Sequence, residues 1–177
     1  MKSNLEYRDK RFALVLIDIQ KKFAYSTDGL RRSTDLHLET VNDAIRLYRD
    51  TGNPIIYVVF DGPSHGQEVE DGDAYVDGLL EPVEGDRIVH KTEMNSFRGT
   101  VLADTIRDVG CDHILLAGMV SQYCVLATYF GAFDNDLVPY MLEGGLMSTD
   151  ERNVELVEEL CKNMSVSEMA ENRFFEN

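Results

Sequence analysis

Three side chains of this 177-residue chain are of types that could do chemistry together: Asp18, Lys91 and Cys124. Asp18 closes the apolar run in "LVLIDIQ", Lys91 follows "RIVH", and Cys124 lies six residues beyond the Gly118 that ends "HILLAG". A thiol is a good nucleophile only as thiolate, and its free pKa of roughly 8.5 is lowered by a helix N-terminus or a nearby cation. Asp18 is suited to accept the thiol proton and Lys91 to hold the resulting charges. The amides of the turn from Val120 to Cys124 are expected to point outward and to bind an oxygen that becomes negative when a carbonyl is attacked. Taken singly, each residue has an ordinary explanation. Cysteine is often a small buried apolar residue, an Asp at a strand end is often a cap, and a Lys after a strand is usually solvated. Asp18 fits its ordinary explanation least well, because an acid directly after a fully apolar run needs a partner.

The elements that must position these groups follow from hydrophobic periodicity. "FALVLIDI" (12–19) reads as a strand buried on both faces. In 35–52, Leu38, Val41, Ile45 and Tyr48 share a helix face, with Gly52 and Pro54 as stop signals. Further strands are expected at 55–60, 87–90, 113–118 and 137–141, the last weakened by Pro139, which cannot donate to a ladder. Helices are expected at 99–110 and from Cys124 to 135. "STDE" (148–151) has capping-box spacing for a helix whose inward face is Val154, Val157, Leu160 and Cys161. "SVSEM" (165–169) reads as a last short strand. Residues 61–73 form a loop rich in turn residues. Strand–helix alternation with short connections implies a three-layer α/β/α, Rossmann-like domain over 1–177, with an open, mostly parallel six-stranded sheet. Such sheets bind ligands beyond the carboxyl ends of their strands, where strand order reverses. Asp18, Lys91 and Cys124 all fall at such ends.

Composition narrows the partners. With 32 acidic residues against 17 basic, the net charge is −15, which repels phosphate backbones and argues against nucleic acid or an anionic membrane. No apolar run approaches the roughly 18 residues of a membrane span, and charges recur up to Phe12, unlike a signal peptide. A cytoplasmic protein acting on a small molecule is expected. Cys111, Cys124 and Cys161 lack CxxC or zinc-ligand spacing, so reduced thiols and no cofactor are expected. Phe174 and Phe175 in the tail would pack against another subunit of a homo-oligomer.

The three segments together resemble the isochorismatase-like cysteine hydrolases, a family that includes nicotinamidases and N-carbamoylsarcosine amidases. "ALVLIDIQKKF" is similar to the family's first-strand motif, "VHKTEMNSF" to the segment with its lysine, and "LLAGMVSQYCVLAT" to its nucleophile turn. The resemblance extends from about Phe12 to Ser148. It implies Asp18, Lys91 and Cys124 as a catalytic triad, with a thioester on Cys124. It implies a cis peptide between Met119 and Val120 that turns the amides of Val120 and Cys124 toward an oxyanion site. By motif position, Gln20, Phe23, Phe97 and Tyr123 would bind substrate. Two departures matter. Nicotinamidases bind a metal through an Asp-x-His pair and a further His, whereas here Asp61 is followed by His65 four residues on, so no metal site is expected. "EGGLMS" keeps only Ser148 of an Asp-Ala-x-x-Ser segment. Because the cysteine is present, the implied reaction is cleavage of a C–N bond in a small amide, ureide or carbamoyl compound. The rival is a redox-sensing or non-catalytic binding protein with a reactive thiol. A serine esterase lacks its G-x-S-x-G elbow.

Overall fold

The computed structural model describes residues 10–63 and 68–171. Six parallel strands form one sheet in the order β3-β2-β1-β4-β5-β6. The strands are β1 (Phe12–Ile17), β2 (Ile55–Phe60), β3 (Arg87–Lys91), β4 (His113–Met119), β5 (Val138–Met147) and β6 (Asn163–Met164). The helices are α1 (Lys21–Ala24), α2 (Asp28–Asp50), α3 (Leu102–Asp108), α4 (Leu126–Phe133), α5 (Glu151–Leu160) and α6 (Val166–Glu171). A π-helical turn, Ser121–Val125, links β4 to α4.

Every residue of β1 is buried, as expected for a central parallel strand covered on both faces. Leu14 and Leu16 pack with Val41, Ile45 and Tyr48 of α2 on one face. Ala13, Val15 and Ile17 pack with Leu102 and Ile106 of α3 and with Val154 and Val157 of α5 on the other. This alternation is the period-2 geometry of a strand. Strand order reverses between β1 and β4, so the crevice for a ligand lies beyond their carboxyl ends. Gly118 lets the two strands meet there. Its φ is +118°, and a Cβ at that position would stand 2.1 Å from the Ile17 carbonyl oxygen.

Several elements differ from the sequence expectation. α2 begins at Asp28 instead of 35, because Thr27 caps it by accepting from the Leu30 amide and Thr34 satisfies its hydroxyl on the Leu30 carbonyl. β5 runs to Met147. Its "EGG" segment is a bulge, beyond which Leu146 and Met147 pair again with Gly118 and Met119. Along β5 the Val138 amide donates toward β4, to the Asp112 carbonyl, and the Met141 amide toward β6, to the Lys162 carbonyl, so by alternation the nitrogen of Pro139 faces the β6 side. Pairing with β6 begins only at Met141, so the missing donor of Pro139 faces no ladder. α5 is capped by Asp150, which accepts from the Arg152 amide, and not by Ser148. Leu160 is exposed and does not share the inward face. The last strand is Asn163–Met164, and the segment expected to be a strand is mostly helix α6. Among the described residues, no helix is long and apolar enough to cross a membrane. His65, Phe174 and Phe175 lie outside the described residues.

Candidate active site

Asp18 immediately follows β1, and its backbone adopts φ +52°. Asp tolerates this left-handed conformation better than most side chains. Its amide donates to the Val58 carbonyl at 3.0 Å, and its carbonyl accepts from the Gln20 amide at 2.7 Å. The chain therefore breaks away from the sheet at the residue whose side chain matters. Such strained positions cluster at functional sites.

Lys91 ends β3, in register with Phe60 of β2. β2 lies between β1 and β3, so two strand spacings, about 10 Å, separate their axes. Only a long side chain can cross that gap. Lys91 does so past the Phe60 ring, with its ammonium 5.1 Å from the ring centroid, and reaches Asp18 Oδ2 at 2.8 Å. The loop after β3 holds the ammonium from the other side: Nζ donates to the carbonyls of Glu93 at 3.0 Å and Met94 at 3.3 Å. An ammonium has three protons, and two are thereby directed away from Asp18. Neither Asp18 oxygen receives a well-aligned hydrogen bond among the described residues, so charge holds the pair.

Cys124 sits in the π-helical turn after β4 and is half-buried. Its thiol interacts with both Asp18 and Lys91. The three residues expected to share a site therefore meet at the switch point. The Met119–Val120 peptide is cis. The expectation that every amide from Val120 to Cys124 stays free is corrected: Tyr123 N donates to the Val120 carbonyl at 2.9 Å, closing the turn.

The electrostatics also depart from expectation. Burial pushes the Cys124 thiol up, followed by the charge of Asp18; Lys91 offsets only part, and the value reaches about 12. A helix start and a cation do not produce a low-pKa thiol here, because desolvation disfavours the thiolate more strongly. Burial likewise raises Asp18 above its ordinary 3.8, against the lowering pull of Lys91 and, more weakly, of Lys22. Burial thus moves both groups in the same direction, above their ordinary values, while Lys91 pulls both back down.

The four residues expected to bind substrate are placed differently from one another. Gln20 is fully buried. Its carboxamide donates to the carbonyls of Phe60 and Asp73, both at 3.3 Å, and accepts from the Phe60 amide at 2.9 Å. Both carboxamide protons and one acceptor position are thereby used to brace the end of β2 against Asp73. Phe23 is half-buried and meets Phe60 edge-on, with centroids 5.6 Å apart. Phe97 packs against the same apolar cluster as Cys124. Tyr123 is exposed.

Sequence reasoning missed three neighbours. Lys22 is buried, donates to the Gly62 carbonyl at 2.8 Å and to Asp73 Oδ1 at 2.6 Å, and lies over the Phe60 ring at 5.5 Å. Phe60 thus has two ammonium groups near its ring, Lys22 at 5.5 Å and Lys91 at 5.1 Å from the centroid. Gln122 is the third: its Oε1 accepts from Ser121 Oγ at 2.9 Å and Ser148 Oγ at 2.8 Å, which gives Ser148 a role at the nucleophile turn. A depression of about 560 Å³, lined in part by Lys22, Asp61, Gly62 and Asp73, contains none of the three reactive residues. The buried cluster of Asp18, Lys91 and Cys124 brings together a thiol, a carboxyl group and an ammonium group, the combination a candidate active site requires. Asp61 accepts from His90 Nδ1 at 2.9 Å. No three His, Cys, Asp or Glu side chains converge as a metal-ligand set among the described residues.

Comparison with known proteins agrees with this fold. A cysteine hydrolase from Pseudomonas syringae pv. phaseolicola superposes with a TM-score of 0.78 at 18% identity, covering 92% of each chain. N-carbamoylsarcosine amidase from Thermoplasma acidophilum superposes with a TM-score of 0.72 at 22% identity, covering 88% of this chain and 95% of the other. At such identities the likeness concerns the fold. Streptothricin hydrolase from Streptomyces noursei is 27% identical over 117 residues, 66% of this chain but 46% of the relative; the match thus spans under half of that protein's length. The Isochorismatase domain family matches residues 12–171, a span that runs from the first residue of β1 to the last of α6, and the chain belongs to that family.

Proposed function

We propose that the protein is a cysteine hydrolase that cleaves a C–N bond of a small amide, ureide or carbamoyl compound. The observation that carries this reading is the convergence of three distant residues at one buried point, with Lys91 Nζ 2.8 Å from Asp18 and the Cys124 thiol interacting with both. The amidase and hydrolase names of its relatives are consistent with it.

The reaction starts from the thiol and the Asp18 carboxylate. As sulfur attacks the carbonyl carbon, the thiol proton passes to Asp18. The carbonyl oxygen becomes negative and is received by the amides of Val120 and Cys124. The C–N bond breaks, and the Asp18 proton goes to the leaving nitrogen. Water then attacks the thioester. Asp18 takes a proton from the water, the S–C bond breaks, and the proton returns to sulfur, releasing the acid. Lys91 keeps Asp18 ionised between steps and fixes its direction. With the thiol pushed up to about 12, no free thiolate accumulates, so proton transfer accompanies attack. This also weighs against the sensor reading, since redox-sensing cysteines are low-pKa and accessible.

The test is the pH profile of kcat/KM on a substrate drawn from a panel of small amides, ureides and carbamoyl compounds. Activity requires ionised Asp18, whose folded pKa is raised. The acid limb is therefore expected above 3.8. In Lys91→Met, which removes the group that lowers Asp18, residual activity should show the limb moved to still higher pH. A limb at or below the ordinary aspartate value, unmoved by Lys91→Met, contradicts the assignment of Asp18 as base.

A further inference from the structure

Behind the triad lies a second, fully buried polar pair, Ser96 and Thr128, both with no measurable exposure. Ser96 belongs to the loop that follows Lys91. Thr128 lies in α4, one helical turn beyond Cys124. The Thr128 hydroxyl proton is within reach of two acceptors, the Cys124 carbonyl at 2.7 Å and Ser96 Oγ at 2.8 Å. The same Thr128 oxygen accepts from the Ser96 amide at 3.0 Å. The Ser96 carbonyl in turn accepts from Thr100 Oγ1 at 2.6 Å, which fixes the far side of the loop. Asn95 of this loop also lies against Gly131 of α4, where a Cβ would stand 2.4 Å from Asn95 Nδ2. The loop is thus seated on the nucleophile's own helix by side-chain, backbone and packing contacts.

We propose that Ser96 and Thr128 are positioning residues that lock the Lys91 ammonium to the Cys124 turn. The contacts form a closed ring. Cys124 is tied through its carbonyl to Thr128, and Thr128 to Ser96. The loop carrying Ser96 presents the Glu93 and Met94 carbonyls to Lys91 Nζ, and Lys91 holds Asp18 beside the thiol. Buried polar groups of this kind are costly unless fully paired. In an apolar environment, a Val at 128 and an Ala at 96 would serve packing alone just as well. The pairing has a clear consequence for chemistry. Asp18 is anchored to the central strand and Cys124 to the β4 turn, whereas Lys91 stands on an exposed edge strand. Without the clamp, the ammonium is the member free to recede.

The inference rests on the cysteine-hydrolase reading, and its test has one arm that needs no substrate. That arm is the rate of Cys124 alkylation by iodoacetamide at pH 9, read by peptide mass spectrometry, in wild type, Thr128→Val, Thr128→Ser and Ser96→Ala. If the ammonium recedes, the thiolate fraction falls, and Thr128→Val should react about three- to tenfold more slowly, with Ser96→Ala in between. Thr128→Ser, which keeps the hydroxyl, should restore the wild-type rate. In the activity arm, Thr128→Val should lower kcat about tenfold with little change in KM, again restored by Ser. Equal alkylation rates in wild type and Thr128→Val, or equal loss in Val and Ser variants alongside equal loss of melting temperature, overturn the proposal. Absence of turnover by wild type would instead defeat the hydrolase reading and leave the alkylation result to decide the clamp.

Discussion

Cys124→Ala is expected to abolish turnover of every amide that the wild type hydrolyses, and Asp18→Asn to do nearly as much. The expected loss in kcat is about 10⁴-fold or more for each, and the double variant is scarcely worse than either single one, because residues acting as one unit are strongly non-additive. The reasoning starts from the protons. With the thiol near 12, sulfur cannot attack at neutral pH unless its proton leaves during attack. In the proposed reaction Asp18 is the base that takes this proton, so an amide at position 18 should stall the first step. It also stalls the second, since the leaving nitrogen then finds no acid. Steady-state kinetics on purified variants, with circular dichroism to verify folding, checks this. Retention of more than a few per cent activity by Asp18→Asn would remove Asp18 from the reaction.

The second large effect concerns stability. Lys91 and Asp18 side chains are 0% and 1% exposed, so each is a buried charge paired closely with the other, with Lys22 acting on Asp18 more weakly. Breaking such a pair costs about 3–5 kcal/mol, whereas replacing both ions by neutral groups is often neutral or stabilising. Asp18→Asn strands an ammonium and should lower the melting temperature by roughly 6–20 °C. Lys91→Met strands a carboxylate, which can escape by protonation. Its folded pKa then rises beyond the already raised wild-type position, while the unfolded value stays ordinary. A raised acid is best tolerated below its unfolded pKa, and stability is lost as pH rises through the folded pKa. Lys91→Met should therefore approach wild-type stability near pH 4 and lose it toward neutrality. Asp18→Asn/Lys91→Met should melt at or above the wild-type temperature at pH 7. Calorimetry on the four proteins checks this, and a double variant as unstable as the two single losses summed would refute it. The site then trades stability for reactivity, as functional sites commonly do.

The sheet, and the placement of Asp18, Lys91 and Cys124 at strand ends, are legible because they rest on strong signals. An unbroken apolar run such as "FALVLI" has few alternatives to a central parallel strand, and the acid after it is anomalous in any other setting. What sequence left out has physical causes. The start of α2 was hidden because Ser33 and Thr34 are buried polar residues in the first turns and do not register as an apolar face. β5 was cut short because glycines that form a bulge look the same as glycines that form a turn. Ser148 matched a capping box, yet its hydroxyl serves Gln122, and Asp150 takes the cap. The thiol was expected to be acidic because a helix start and a cation are visible in sequence, whereas the depth of burial that outweighs them is not. Ser96 and Thr128 are 32 residues apart, and nothing local marks two hydroxyls that meet only after folding.

The central claim is a covalent bond between Cys124 sulfur and the acyl group of a small C–N substrate. Its most direct test is intact-protein and peptide mass spectrometry of the full chain after brief incubation, and acid quench, with a library of amides, ureides and carbamoyl compounds. The account predicts a mass increase equal to the acyl fragment, mapped to Cys124, absent from Cys124→Ala and cleared with time in wild type. Turnover without any adduct on Cys124, or with the adduct on Cys111 or Cys161 instead, would contradict it.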